Sequence, residues 1–148
     1  MSTQIRRMTL NDVDTVYELE KRIFKDSWSR RSFINEAVNT DYSFPYVMAR
    51  QEKIVAYAVV WYVSGELHVN NIAVDPKFRR RGLGAELLEH ILEMFPDFDT
   101  AFLEVRISNE AAIRLYEKYM FNKAGVRKKY YADGEDALLM VCKRAEMF

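Results

Sequence analysis

The chain has 148 residues, 49% of them hydrophobic, and its 22 basic side chains match its 22 acidic ones. That length suits one domain with a real core, and the aromatic content excludes a disordered chain. Balanced charge gives no bulk reason to bind nucleic acid or a membrane surface, and no apolar run nears the roughly 20 residues that a bilayer span requires.

Ile5 to Met8 reads as a short strand. Asn11 or Asp12 can cap a helix reaching about Phe24, because Val13, Val16, Leu19, Ile23 and Phe24 recur at helical spacing. Asp26-Ser27-Trp28-Ser29 interrupts it, and Ser29 can cap a second short helix carrying Phe33, Ile34, Ala37 and Val38. Pro45 opens a strand through Ala49. Ile54 to Val63, rich in β-branched and aromatic residues, is a long buried strand, and Ser64-Gly65 turns it back into Leu67 to Val74. These three strands are expected to form an antiparallel meander.

Leu83, Leu87, Leu88, Ile91, Leu92 and Phe95 then line one face of a helix that Pro96 stops. Thr100 to Val105 is the next strand. Ser108-Asn109-Glu110 starts a helix with Ala112, Ile113, Tyr116 and Tyr119 along one side. Phe121 to Tyr131 and Ala137 to Cys142 close the chain as two strands around Ala132-Asp133-Gly134. The order β-αα-βββ-α-β-α-ββ has seven strands and four helices, contains no repeat or linker, and predicts a single α+β domain over residues 1–148.

The densest local signal is Arg79-Arg80-Arg81-Gly82-Leu83-Gly84-Ala85, between a strand and a helix. Glycine lets backbone N–H groups approach a ligand, a helix N-terminus favours an anion, and arginine binds phosphate bidentately. A third Rossmann glycine is missing, since Leu87 stands in its place, and no Gly-Lys-Ser/Thr makes a Walker loop. On its residues alone the stretch is either a basic turn or a phosphate cradle. Three arginines before a helix oppose its dipole unless an anion is bound, which favours the cradle.

The stretch resembles the acetyl-CoA loop, Arg/Gln-x-x-Gly-x-Gly/Ala, of the GNAT N-acetyltransferases, and the element order is also that family's. Asn71-Ile72-Ala73-Val74, Leu103-Glu104-Val105-Arg106 with Ser108-Asn109, Ala111-Ala112-Ile113-Arg114-Leu115-Tyr116-Glu117, and Tyr130-Tyr131 with Gly134-Glu135-Asp136-Ala137 are similar to the RimI-type ribosomal-protein-alanine N-acetyltransferases. Archaeal and eukaryotic N-terminal acetyltransferases share much of this set. The resemblance covers essentially the whole chain. It implies a three-layer GNAT fold, with a mixed, mostly antiparallel sheet of about seven strands that splays in the middle.

It also implies roles. Acetyl-CoA is the expected cosubstrate: Arg79, Arg80, Arg81, Gly82, Leu83, Gly84 and Ala85 hold its pyrophosphate, and Ile72, Ala73 and Val74 pair main chain with its pantetheine arm. A main-chain N–H near Val74 polarises the carbonyl. Asn109 and Ala112 stand two turns and one turn before Tyr116 on one helix face, so Asn109 is placed to bond the same arm. Glu104 is a carboxylate in an apolar strand, either an exposed or Arg106-paired strand end or, as the resemblance assigns, the general base. Tyr116 is either a core aromatic or the acid that protonates the leaving thiolate. Trp28, Phe33, Tyr130 and Tyr131 are either edge packing or the two walls of a peptide entrance, which Glu66 and His68 also approach. Arg127-Lys128-Lys129 reads as a solvated strand end.

The expected acceptor is a protein N-terminus, possibly of a ribosomal protein, and no direct nucleic-acid contact is required. The rivals are a lysine or small-amine acetyltransferase and, from another class, a CoA- or RNA-binding module without chemistry. His68, His90 and Cys142 form no ligand cluster, so no metal is expected. A polar N-terminal stretch without a signal-peptide core and a lone cysteine suit the cytoplasm, and the protein is expected to be a monomer or weak homodimer.

Overall fold

The computed structural model describes residues 3–39 and 41–147. Seven strands form one sheet in the order β1-β2-β3-β4-β5-β7-β6. They are β1 (Thr3–Arg7), β2 (Ser43–Arg50), β3 (Lys53–Val63), β4 (Glu66–Val74), β5 (Thr100–Arg106), β6 (Asn122–Arg127) and β7 (Ala137–Lys143). Every neighbouring pair is antiparallel except β4 and β5, so the expected meander of β2, β3 and β4 forms.

Four α-helices cover both faces: α1 (Val13–Ile23), α2 (Arg30–Val38), α3 (Leu83–Met94) and α4 (Glu110–Lys118). The apolar stripe of α1 (Val13, Val16, Leu19) and Phe33 of α2 bury against Val47, Tyr57 and Val59 of one face. Leu83, Leu87, Leu88 and Ile91 of α3 and Ile113 of α4 bury against Met48, Val60, Leu103 and Met140 of the other. The result is an α+β three-layer arrangement.

The cap chemistry at α2 is as expected: Ser29 accepts the Ser32 N–H at 3.1 Å. At α1 a short 3₁₀ turn over Leu10–Asp12 comes first, so the α-helix starts at Val13 and ends at Ile23. The final hairpin differs more from expectation. β6 stops at Arg127 rather than reaching Tyr131, because Lys129 turns into the left-handed region (φ 51°) and gives its N–H to the Asp136 carboxylate. Tyr130 and Tyr131 therefore sit in the connection, off the ladder.

One irregularity in the sheet shapes the site. β4 and β5 are paired only from Glu66↔Thr100 to Val69↔Leu103. Beyond Val69 the two strands part, and Asn70 is bulged out of the β3–β4 register, where Val59 faces Asn71 and Val60 faces Val69. A bulge bends its strand and increases local twist. The β5 side of β4 thus lacks a strand partner from Asn71 to Val74, and parallel neighbours have opened into a V.

Candidate active site

Two clefts meet at that V. The first, about 650 Å³, runs along β4 to the glycine loop, and the second, about 660 Å³, lies on the side of the aromatic residues. Phe24, Ile72, Arg106, Asn109 and Tyr116 line both, so they form the junction.

The loop cleft is lined by Ile72, Ala73, Val74, Arg79, Arg80, Gly82, Leu83, Gly84, Asn109 and Ala112. Gly82 caps α3 with φ 76°, and Arg80 before it also sits at φ 66°, so the loop is coiled tightly enough to aim main-chain N–H groups outward. Arg79 is tied back by its Nε to the Val74 carbonyl at 3.3 Å. Arg81 points elsewhere, its guanidinium 5.2 Å from the Phe78 ring, and neither it nor Ala85 lines the cleft. Lys25, from the link between α1 and α2, adds a cation that no local motif announces. Unpaired β4 backbone, an unpaired helix N-terminus and several cations suit an extended amide-bearing arm ending in a pyrophosphate.

Asn109 caps α4, its Oδ1 accepting the Ala112 N–H at 3.2 Å. That cap fixes the helix on which Tyr116 projects to the junction. Tyr116 is buried, with its ring 6.0 Å from Phe121. Burial pushes its phenol well above the usual tyrosine range, so the hydroxyl keeps its proton.

The aromatic groove is lined by Trp28, Tyr130, Tyr131 and Glu104, among others. Alternation along β5 buries Ala101, Leu103 and Val105, and turns Phe102, Glu104 and Arg106 toward the groove. The ion-pair partner of Glu104 is Arg127 on β6, with 3.4 Å between Nε and Oε1, and not Arg106. Hydrogen bonding with Glu104 raises the Tyr130 phenol, with burial second, and burial pushes Tyr131 up to about 12. Tyr130 and Tyr131 meet edge to face at 5.1 Å.

Of the two alternatives for Phe33, packing is the one the structure takes, so it does not form the groove wall. It is fully buried between Trp28 (5.4 Å) and the edge of Tyr57 (6.0 Å), so it backs the Trp28 wall without reaching the groove. His68 lines the groove, stacked on Phe102 at 4.9 Å, and bonds Glu66, which does not.

Two charged residues have roles at the site that the sequence did not assign. Arg106 meets Asp26 at 2.8 Å, Asp133 at 2.9 Å and Glu135 at 2.9 Å, and its guanidinium stacks 4.1 Å over Tyr131. It clamps the α1–α2 link to the β6–β7 connection across the mouth of the groove. These partners lie 80, 27 and 29 residues away, so no local pattern reveals them. Glu20 of α1 is the second, 1% exposed and lining the groove. Its signal was present: Val13, Val16, Glu20 and Phe24 share one helical face, which puts a carboxylate on an apolar stripe.

The model of the acetyltransferase (GNAT) family matches residues 13–121. The chain belongs to the GNAT acetyltransferase family. It is 38% identical over 141 residues to the [ribosomal protein bS18]-alanine N-acetyltransferase of Escherichia coli K12, covering 92% of this chain and 94% of that one. An N-alpha-acetyltransferase of Sulfolobus acidocaldarius is 33% identical over 152 residues, covering 93% and 90%. The crystal structure of the ribosomal-protein-S18-alanine N-acetyltransferase from Escherichia coli superposes with TM-score 0.88 at 35% identity, covering 96% and 94%. This GNAT protein is of the RimI type, with that family's splayed sheet, and is an acetyl-CoA-dependent N-acetyltransferase. No helix among the described residues is long and apolar enough to cross a membrane.

Proposed function

We propose that the enzyme acetylates the N-terminal alanine of a ribosomal protein of the S18 type, the acceptor named for its Escherichia coli relative. What carries the reading is the junction itself. Tyr116 lines both clefts, Glu104 lines the aromatic groove, and the glycine loop lies at the far end of the other cleft.

In this reading Gly82, Leu83 and Gly84 offer main-chain N–H groups to the pyrophosphate, assisted by Arg79 and Arg80. Ile72, Ala73 and Val74 pair with the pantetheine arm, Asn109 and Ala112 flank it, and a main-chain N–H near Val74 polarises the thioester carbonyl. The acceptor N-terminus enters between Trp28 on one side and Tyr130 and Tyr131 on the other. An α-ammonium titrates at about 7.7–8.0, so Glu104, acting through water, needs only modest strength as a base. The neutral nitrogen attacks the carbonyl carbon, the N–C bond forms and the C–S bond breaks. The ammonium proton passes through water to Glu104 before attack, the sulfur takes the phenolic proton of Tyr116, which burial keeps in place, and the second proton, shed by the nitrogen as the amide forms, returns through water to restore the phenol. The acting species is a cytoplasmic monomer or weak homodimer, and the single GNAT domain spans the chain.

A broader N-terminal acetyltransferase is the second reading, favoured by the 33% identity to the Sulfolobus N-alpha-acetyltransferase. Acetylation of a peptide array with Ala, Ser and Met starts, beside N-blocked lysine-bearing copies, tests both. Alanine-start peptides are expected to dominate. Equal use of Ser and Met starts selects the broader reading, and acetylation of the blocked copies overturns both.

A further inference from the structure

The buried carboxylate of Glu20 has no part in the chemistry above, yet it touches three separate elements at the groove. Its Oε1 accepts from Tyr57 Oη of β3 at 2.7 Å and from Asn71 Nδ2 of β4 at 2.9 Å. Its Oε2 accepts the main-chain N–H of Trp28 at 2.9 Å. These donors lie 37, 51 and 8 residues away along the chain, and all are neutral.

A carboxylate stripped of water and held by neutral donors alone is a poor stabiliser, and an apolar side chain of the same volume often serves a core as well or better. Geometry gives it a different use. Trp28 lies in the irregular link of residues 24–29, where no helix or strand fixes its main chain. Asn71 follows the Asn70 bulge and precedes Ile72, at the point where β4 leaves β5. Glu20 is therefore the bolt between an irregular wall of the groove and the strand that lines the junction.

We propose that Glu20 is a positioning residue for the acceptor: it sets the width of the groove by holding the Trp28 wall against the Asn71–Ile72 segment. The inference rests on the aromatic groove being the acceptor site. It adds that acceptor affinity is controlled from beneath the groove, by a residue that touches neither substrate.

The test is steady-state kinetics with acetyl-CoA and the best wild-type acceptor peptide varied in turn, on the full chain. For Glu20→Leu, kcat/KM for the acceptor is expected to fall about tenfold to a hundredfold, carried by KM, while KM for acetyl-CoA stays within about twofold. Glu20→Gln keeps the shape and one acceptor oxygen, and a rotated Asn71 amide can meet its NH₂, so it should recover most of the lost acceptor affinity. Tyr57→Phe removes one donor and should raise acceptor KM in the same direction. It carries the test if Glu20→Leu does not fold. Hydrogen exchange at the Trp28 amide should accelerate in Glu20→Leu. A Glu20→Gln enzyme that binds acceptor no better than Glu20→Leu overturns the proposal, because charge rather than position is then what matters. Unchanged acceptor KM in Tyr57→Phe, or equal shifts in both KM values, also overturns it. If the wild type prefers a lysine or small amine, the reading of the preceding section fails, and the same split on that acceptor still decides the role of Glu20.

Discussion

The loop cleft takes its shape from main chain: an unpaired stretch of β4, a left-handed turn at Arg80 and Gly82, and the start of α3. The aromatic groove takes its shape from side chains, with Arg106 bridging Asp26, Asp133 and Glu135 above it and Glu20 bridging Trp28, Tyr57 and Asn71 below. The difference suits the two ligands proposed for these clefts. A pyrophosphate and an amide-bearing arm are the same in every turnover, and backbone donors recognise them whatever the side chains are. A protein N-terminus has to be discriminated from other amines, and discrimination is carried by side chains whose positions must be held. Substitutions should accordingly separate the two halves, with thioester affinity answering to backbone geometry and acceptor affinity to ion pairs.

The largest effect belongs to the junction, where the halves share chemistry. Glu104→Gln and Tyr116→Phe are each expected to cut kcat by about 10²–10⁴, the usual span for a general base or acid. Acetyl-CoA affinity measured by calorimetry should stay close to wild type, because neither side chain belongs to the loop. Wild-type turnover in either variant removes that residue from the proposed chemistry.

Arg106→Met should come next. It frees Asp26, Asp133 and Glu135 from their common cation and releases both walls of the groove at once. An acceptor kcat/KM lower by about thirtyfold is expected, within the range found when a positioned side chain loses its support. Arg106→Lys should recover little of it, since an ammonium cannot present the guanidinium fork to several carboxylates or stack on Tyr131. If acetyl-CoA affinity falls as much as acceptor affinity, the division between the halves fails, because Arg106 lines both clefts.

How far each half could be read beforehand follows from the same contrast. Arg79 to Ala85 is a contiguous signal, and its glycine does have the positive φ that the loop requires. The strand and helix order came from periodicity, which is local as well. The acceptor half came out less completely. Trp28, Tyr130 and Tyr131 do line the groove, yet Phe33 faces the core, because its helix turns that residue onto Tyr57. The β6 ladder ends early, because a lysine adopts φ 51°. Arg106 stood in a recognised motif, but its role as a hub did not show, since an ion-pair hub spanning 80 residues leaves no spacing to recognise. Glu20 was visible only as a charge on an apolar stripe, and its meaning depends on which strands lie beneath that stripe.

A third comparison isolates the backbone half. At φ 76° a β-carbon costs about 1 kcal/mol, so Gly82→Ala should weaken acetyl-CoA binding by roughly fivefold to tenfold with acceptor KM unchanged. Arg81→Ala should change it by less than about twofold, because that guanidinium rests against Phe78 without lining the cleft itself, and an exposed cation is worth little. A greater loss in Arg81→Ala than in Gly82→Ala makes side-chain charge, and not main-chain shape, the recogniser of the pyrophosphate.

The smallest expected effect is the absence of one. A free tyrosine loses its proton near pH 10, and an acid with that ordinary value would impose a falling limb on kcat as pH approaches it. Burial raises Tyr116, so its donor form persists to higher pH and the falling limb moves out of the accessible range. The acceptor amine acts in the opposite sense. Its neutral form grows as pH passes about 7.7–8.0, so kcat/KM for the peptide should rise through that region and then level off. A plateau held to pH 10 in wild type is the expected profile, read from initial rates across the series. A downturn between pH 8 and 9.5 that disappears in Tyr116→Phe would mean the phenol is exposed to water during turnover, and the side-chain half of the site opens more than its ion pairs allow.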